Sequence, residues 1–417
     1  MAHILFVSYF FTPDSLSTAV LMAELAQELQ AQGHRLTVIT TTPHYNLEEK
    51  ALARQPLRPR WGRWVQESQL SGIQVFHVQV APKGSRIWLR ALDYLRYHLF
   101  GLWVGWFLVP RADVIFAPSP PLTIGLHAWL LSLRHRAPFI YNVQEIYPDV
   151  AVKLGVLRNR LLIRLLQGVE RFVYGRAGRV AVISEWFRRD LLQKGVPPAR
   201  LAVIPNFVDV DFVQPHPRQN TFSQELALDD KFVVLYAGNI GLTQGFETVL
   251  EAARRLTHLP DLHFLIIGGG ARFDWLARQI QAQGLANMTL LPYQPRERVP
   301  EIYATADLCL VPLKRGMAQD TFPSKIYTIM AAARPVVAAA DPDTELAWVV
   351  EQAGCGWVVP PEDVHALAQA IERAYQERGQ AAAMGQSGRE YVVEHHARPS
   401  VVRRYHELIT ALTGRPS

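Results

Sequence analysis

Short runs rich in β-branched and aromatic residues alternate with longer stretches in which apolar residues recur at helical spacing. In the first half the runs are HILFVSY (3–9), RLTVIT (35–40), IQVFHV (73–78), DVIFA (113–117), PFIYNV (138–143) and RVAVIS (179–184), with a helical pattern over 18–32. Such alternation predicts parallel βαβ units. A polar segment around 214–230, with Pro215, Pro217, Asn220 and the pair Asp229–Asp230, interrupts the pattern as a linker would. The pattern then restarts with KFVVLYAG (231–238), LHFLIIGGG (262–270), NMTLLPY (287–293), DLCLVP (307–312) and PVVAAA (335–340), separated by four helical stretches.

The fold expected is therefore α/β, with two facing Rossmann-like domains, each a doubly wound parallel sheet. Residues 1–213 form the first domain and 214–397 the second. Open sheets of this kind bind ligands at the carboxyl ends of their strands, so two of them face to face predict an inter-domain cleft. The last forty residues read as helical, and 398–417 is expected to cross back and brace the first domain.

Composition sharpens this picture. A chain of 417 residues exceeds what one hydrophobic core sustains, and 49% hydrophobic against 19% charged residues describes a folded protein. The two cysteines, Cys309 and Cys355, imply no disulfide framework and read as core or loop thiols of a reducing cytoplasm. The start, MAHILFVSYFF, has no basic leader and reaches Pro13 early, so it reads as a buried strand. A net charge of +6 points to an anionic partner: a nucleotide diphosphate, nucleic acid or an acidic membrane surface. Nucleic acid is disfavoured, because the cations are scattered and no zinc-finger, basic-zipper or RNA-recognition signature occurs.

The segment DTFPSKIYTIMAAARPVVAAADPDTE (320–345) carries the sharpest chemistry. Pro323 suits the first turn of a helix, which brings Ser324 and Lys325 into that turn as well. A cation there opposes the helix dipole, a conflict that an anion bound to free backbone N–H groups, the Ser324 hydroxyl and Lys325 resolves. A surface lysine pointing into solvent is the plain alternative. In YAGNIGLTQGFETVLEAA (236–253) a strand ends at Gly238 and Gly241 and a helix starts near Gly245, so the backbone can approach a ligand, whereas the glycines of 266–270 read as a turn only.

In the first domain, Ser15, Ser17 and Thr18 form a hydroxyl-bearing loop that faces either the acceptor or the transferred sugar, with helix capping by Ser17 as the other reading. YNVQEIYPDV (141–150) ends a strand with Gln144, Glu145 and Asp149, whose carboxylates could bond sugar hydroxyls or act as a base. Asp209 and Asp211 fall in a connector and read as structural rather than metal-binding. Residues 86–116 combine aromatic, aliphatic and arginine side chains. The uncharged stretch 97–109 is shorter than the roughly twenty residues of a membrane span. It reads as an interfacial helix with Arg86, Arg90 and Arg96 near headgroups, or as a helix covering the sheet.

Seven segments in order, ELAQELQAQGHRLTVIT, VQEIYPDVAVKLGVL, VAVISEWFRRDLLQKGV, LAVIPNFVDVDFVQP, YAGNIGLTQGFETVLEAA, FPSKIYTIMAAARPVVA and AGCGWVVPPED, resemble glycosyltransferase family 4, the retaining enzymes of the GT-B fold, and within it bacterial colanic-acid and O-antigen transferases. The resemblance implies hexosyl or N-acetylhexosaminyl transfer from a nucleotide donor, commonly a UDP-sugar, to a glycan or polyprenyl-diphosphate-linked acceptor, with no metal or other cofactor. Lipopolysaccharide or other surface polysaccharide would be the product, made in the cytoplasm or at the inner face of the plasma membrane through peripheral contact by 86–110. By position, Asn239, Gly241 and Gln244 would lie near the diphosphate, Ser324 and Lys325 would clamp it, and residues near Tyr293 and Pro295 would hold the base. Gln144, with Ser17 and Thr18, would serve the acceptor. Where relatives carry two glutamates eight positions apart, this chain has Asp320 and Thr328, and Glu345 is the substitute expected to bond ribose. Asn239 and Gln244 replace the arginine and lysine of many members, Gln144 replaces a histidine, and Lys325 is the remaining cation. An epimerase or hydrolase of the same architecture, or an inactive sugar-binding homologue, is the alternative function.

Overall fold

A computed structural model describes residues 1–14, 17–44, 49–81, 87–319 and 322–414, without the side chains of 17, 49–50 and 87–91. The chain divides into two compact units. The first comprises Met1–Val152, Leu157–Pro205 and the chain from Pro399, and the second Lys153–Val156 and Asn206–Arg398.

In the first unit the elements run β1 (His3–Val7), α1 (Ser17–Ala31), β2 (Arg35–Thr41), α2 (Glu49–Arg54), β3 (Arg58–Trp61), β4 (Val65–Leu70), β5 (Ile73–Val78), α3 (Ile87–Phe107), β6 (Val114–Pro118), α4 (Ile124–His135), β7 (Phe139–Val143), α5 (Asp149–Lys153), α6 (Arg160–Arg176), β8 (Arg179–Val182), α7 (Glu185–Gln193) and β9 (Leu201–Val203). They form one sheet of order β3-β4-β5-β2-β1-β6-β7-β8-β9. β1, β6 and β7 are buried along their whole length, as mainly apolar runs in a doubly covered sheet are.

The sheet is not wholly parallel. β4 pairs antiparallel with both β3 and β5, making a mixed edge. β3, with sequence RPRW and every residue exposed, has no apolar run from which it could be read.

The second unit runs α8 (Thr221–Glu225), β10 (Phe232–Asn239), α9 (Phe246–Arg255), β11 (Leu262–Gly269), α10 (Phe273–Ala282), β12 (Met288–Leu291), α11 (Val299–Thr305), β13 (Leu308–Pro312), α12 (Lys325–Ala331), β14 (Val336–Ala339), α13 (Glu345–Gln352), β15 (Gly356–Val359), α14 (Val364–Gln376) and α15 (Arg378–His395). Its sheet, β12-β11-β10-β13-β14-β15, is parallel throughout. The polar segment expected to be a linker is instead packed. Arg218 bonds both oxygens of Asp307 at 3.0 Å, and Asn220 caps α8 through a capping box.

The last helix, α16 (Arg398–Thr413), belongs to the first unit from Pro399 onward. It buries Val401, Val402, Tyr405 and Ile409 there, and His406 meets His34 at 2.9 Å. Both cysteines are buried and free.

Candidate active site

In the second sheet the chain leaves β10 on one side for β11 and β12 and returns on the other for β13 to β15. The strand order therefore reverses between β10 and β13, and ligands of open α/β sheets bind at the carboxyl side of such a point. Asn239 ends β10, and α12 begins at Lys325 on the connection from β13 to β14.

Ser324 is the N-cap of α12, makes no side-chain cap bond, and accepts from Tyr327 N through its carbonyl at 3.1 Å. Pro323 precedes the helix rather than occupying its first turn, because Ser324 takes the cap position. The Lys325 ammonium lies 3.7 Å from the ring centroid of Tyr236. Tyr236 in turn donates to the Asn239 carbonyl at 2.5 Å, which ties the ring to the end of its own strand. The lysine is half-buried, and burial pushes its pKa down to about 7. Among the described residues no carboxylate neutralises it.

Gly238 makes this approach possible. Its φ of +143° is open to glycine, and a Cβ would stand 2.6 Å from the Lys325 ammonium. The 266–270 glycines are not only a turn: Gly268 and Gly269 are strand residues registered against Gly238 and Asn239. A Cβ on Gly270 would stand 2.5 Å from Asn239 Oδ1.

Tyr293 reaches this edge too, donating to the Gly269 carbonyl at 3.3 Å. Gln244 is committed to the turn itself. It is buried, accepts from Gly241 N at 2.9 Å and donates to Thr243 Oγ1 at 2.7 Å, so it is not presented as a diphosphate contact. Two further cations flank the loop after β10, correcting the expectation that Lys325 alone remains. Arg272 binds Glu247 at 2.6 and 2.9 Å, and Lys314 lies 3.6 Å from the same carboxylate. Thr328 lies one turn further along α12. Glu345 is buried at the start of α13, where its charge adds to burial in raising the pKa of Tyr327 and Tyr391. Asp320 lies outside the described residues.

In the first unit the order reverses between β1 and β6, and Gln144 follows β7, the neighbour of β6. Gln144 N donates to Ser119 Oγ at 3.0 Å and Gln144 Nε2 to Asn142 Oδ1 at 2.6 Å. Asn142 Nδ2 donates to the hydroxyl of Tyr405 on α16 at 2.9 Å. Glu145 is half-buried, and desolvation lifts its carboxyl above the usual range despite a bond from Tyr147. Asp149 is held by Lys194 at 2.7 Å, in a cluster where the same ammonium binds Glu170 at 2.8 Å and Asp190 at 3.5 Å. That ion cluster ties α5, α6 and α7 together and gives Asp149 a structural partner. Thr18 is half-buried in the first turn of α1, whereas Ser15 and the Ser17 side chain lie outside the described residues.

Asp209 Oδ1 accepts from Asp211 N at 3.1 Å and Phe212 N at 3.0 Å, and its Oδ2 meets Arg398 at 2.9 Å, a turn-forming role. Tyr236, Asn142 and Tyr405 were not readable as site residues. Each lies in an apolar strand or helix pattern whose spacing carries no sign of a polar partner.

On α3, Tyr97 and Val104 are fully buried, while Leu92, Leu95, Leu99, Trp106 and Phe107 are exposed. Arg96 bonds Asp93 at 3.2 Å and lies over the Trp64 ring. Arg86 and the Arg90 side chain lie outside the described residues. No helix among the described residues is long and apolar enough to cross a membrane.

Two family models match the chain. The glycosyl transferase 4-like domain covers residues 18–206 and the glycosyl transferases group 1 family covers residues 217–391. The putative colanic acid biosynthesis glycosyl transferase WcaI of Escherichia coli (strain K12) is 29% identical over 385 residues, 87% of this chain and 90% of that protein. The probable glycosyltransferase WbjE of Pseudomonas aeruginosa is 29% identical over 264 residues, 63% of this chain and 66% of that protein. Among solved structures, Anabaena Alr3699/HepE in complex with UDP and glucose is similar with a TM-score of 0.76 and 17% identity, covering 99% of this chain and 100% of that one. The chain belongs to the glycosyltransferases of the GT-B fold, with a glycosyl transferase 4-like first half and a group 1 second half.

Proposed function

We propose that the chain is a retaining, metal-independent transferase that moves a hexosyl or N-acetylhexosaminyl group from a UDP-sugar to a glycan or polyprenyl-diphosphate-linked acceptor. The product would be a bacterial surface or exported polysaccharide. The reading is supported by the colanic-acid relative and by a solved neighbour that holds UDP and glucose. The observation that carries it is the Lys325 ammonium, held half-buried at the β10/β13 reversal with no neutralising carboxylate among the described residues.

In this reading the diphosphate docks at Lys325 and Ser324, beside Asn239 and the Gly241 turn. Tyr293 lies toward the base, and Glu345 or Thr328 serves the ribose. The acceptor hydroxyl attacks the anomeric carbon on the face from which UDP leaves, and the departing phosphate takes its proton. Lys325 stabilises the charge that grows on the phosphate oxygens, and Gln144, Glu145 and Thr18 serve the acceptor side. The exposed apolar stripe of α3 rests on the inner face of the plasma membrane, beside a lipid-linked acceptor.

The test is a UDP-release assay crossing UDP-sugars with lipid-diphosphate acceptors. Release that depends on the acceptor is expected, with loss of turnover in Lys325→Ala at unchanged thermal unfolding. UDP release independent of acceptor would favour a hydrolase, conversion of the UDP-sugar without acceptor or UDP release would favour an epimerase, and near-normal turnover in the variant would overturn the phosphate clamp.

A further inference from the structure

The turn joining β3 to β4 reads Trp61-Gly62-Arg63-Trp64, and both tryptophans lie against α3. Trp61 stacks on Trp103 with ring centroids 4.2 Å apart, and Trp64 on Phe100 at 5.4 Å with 12° between planes. Beside this clasp opens a cavity of about 690 Å³ whose lining includes Arg63, Trp64, Gln66, Gln79 and Arg96. The guanidinium carbons of Arg63 and Arg96 stand 4.7 and 5.3 Å from the Trp64 ring centroid. Gln66 Nε2 donates to Gln79 Oε1 at 3.1 Å, fixing the two amides as one pair. Arg96 is tethered by Asp93, whereas Arg63 is exposed and has no ion pair among the described residues.

Guanidinium groups braced on an aromatic ring are pre-organised donors for phosphate oxygens, and they hold the fork geometry that a lysine lacks. The border of the cavity selects among phosphate carriers. Along α3, next to Arg96 and Phe100, runs the exposed stripe Leu92, Leu95, Leu99 and Trp106, with Phe107 69% exposed at its end. A free anion has no use for that stripe, but a lipid would lay its acyl chains along it. We infer that this pocket at the antiparallel edge of the first unit binds the phosphate-bearing headgroup of an anionic lipid. The inference rests on the reading of α3 as membrane-facing and adds a specific anion site to it.

The test uses the full chain in co-sedimentation with phosphatidylcholine vesicles, with and without phosphatidylglycerol. Isothermal titrations with monomeric short-chain phosphatidylglycerol and with inorganic phosphate run alongside. Arg63→Gln is expected to weaken binding to the anionic vesicles about fivefold, the share of one basic residue at a membrane surface, and to abolish the short-chain signal. Arg189→Gln removes another exposed charge, from α7 at the β9 end of the same sheet, and is expected to change neither. Turnover on a soluble acceptor should be unchanged in both variants. Equal weakening by the two substitutions, or no effect of Arg63→Gln, overturns the pocket in favour of diffuse attraction. Inorganic phosphate binding as well as the short-chain lipid supports the anion site and overturns its lipid specificity. If Leu95→Ser/Leu99→Ser abolishes vesicle binding while Arg63→Gln leaves all titrations intact, the membrane reading stands and the pocket fails. If no vesicle binds but the short-chain lipid titrates through Arg63, the pocket stands and the membrane reading fails.

Discussion

The carboxyl ends of the two sheets treat polar groups in opposite ways. In the first unit Gln144 is locked through Asn142 to Tyr405, and Asp149 is neutralised by a lysine shared with Glu170 and Asp190. In the second, Lys325 is desolvated, rests on an aromatic ring, and has no carboxylate to answer it among the described residues. Buried polar groups that serve the fold are satisfied by the fold. A cation held at a cost to its own charge is a candidate for binding something that arrives from outside. The contrast separates a framework at one strand end from a receptor at the other.

The largest effect should come from the receptor. Lys325→Ala is expected to cost about 3 to 4 kcal/mol of barrier, a hundredfold to a thousandfold in kcat, with little change in thermal unfolding. The framework should show the reverse. Lys194→Met leaves Glu170 buried without its cation and is expected to lower unfolding free energy by about 3 kcal/mol in denaturant titration, while donor affinity in the surviving folded fraction holds. Gly238→Ala tests the seam, since it forces an L residue to φ +143° against the lysine. It should cost about 2 kcal/mol of stability and also weaken UDP binding, the one substitution expected to do both. Tyr405→Phe removes one buried hydroxyl partner of Asn142 and should cost about 1 kcal/mol. Its kinetic mark should be a raised KM for acceptor with donor KM unchanged, because it loosens Gln144 alone.

Much of this architecture is legible in the chain. Largely buried parallel strands need mainly apolar runs, so β1, β6, β7, β10, β11 and β13 declare themselves. The edge strands β3 and β15 do not. β3 is exposed along its length, and β15 is a four-residue run opening on Gly356, so neither has a pattern to read. Lys325 was legible for a local reason, a cation at the wrong end of a helix. Its partner ring was not, because Tyr236 reads as one more apolar strand residue. For Gln244 and Asp149 the sequence supplies the polar atom but not the neighbour that satisfies it. For Gln244 that neighbour is Gly241 N in its own turn, and for Asp149 it is Lys194, forty-five positions away.

Calorimetry of UDP binding across pH, in buffers of different ionisation enthalpy, tests the receptor most directly. Burial sets the Lys325 pKa near 7 in the free chain, below its unfolded value, and a bound diphosphate should raise it. Below pH 7 the cation is already present and Lys325 adds no further pH dependence. Above it, binding must take up a proton, and affinity should fall by as much as tenfold per pH unit. Proton uptake at pH 8 that vanishes in Lys325→Met, together with most of the affinity, is the expected result. Equal affinity and no uptake in either protein would contradict the assignment of Lys325 to the phosphate.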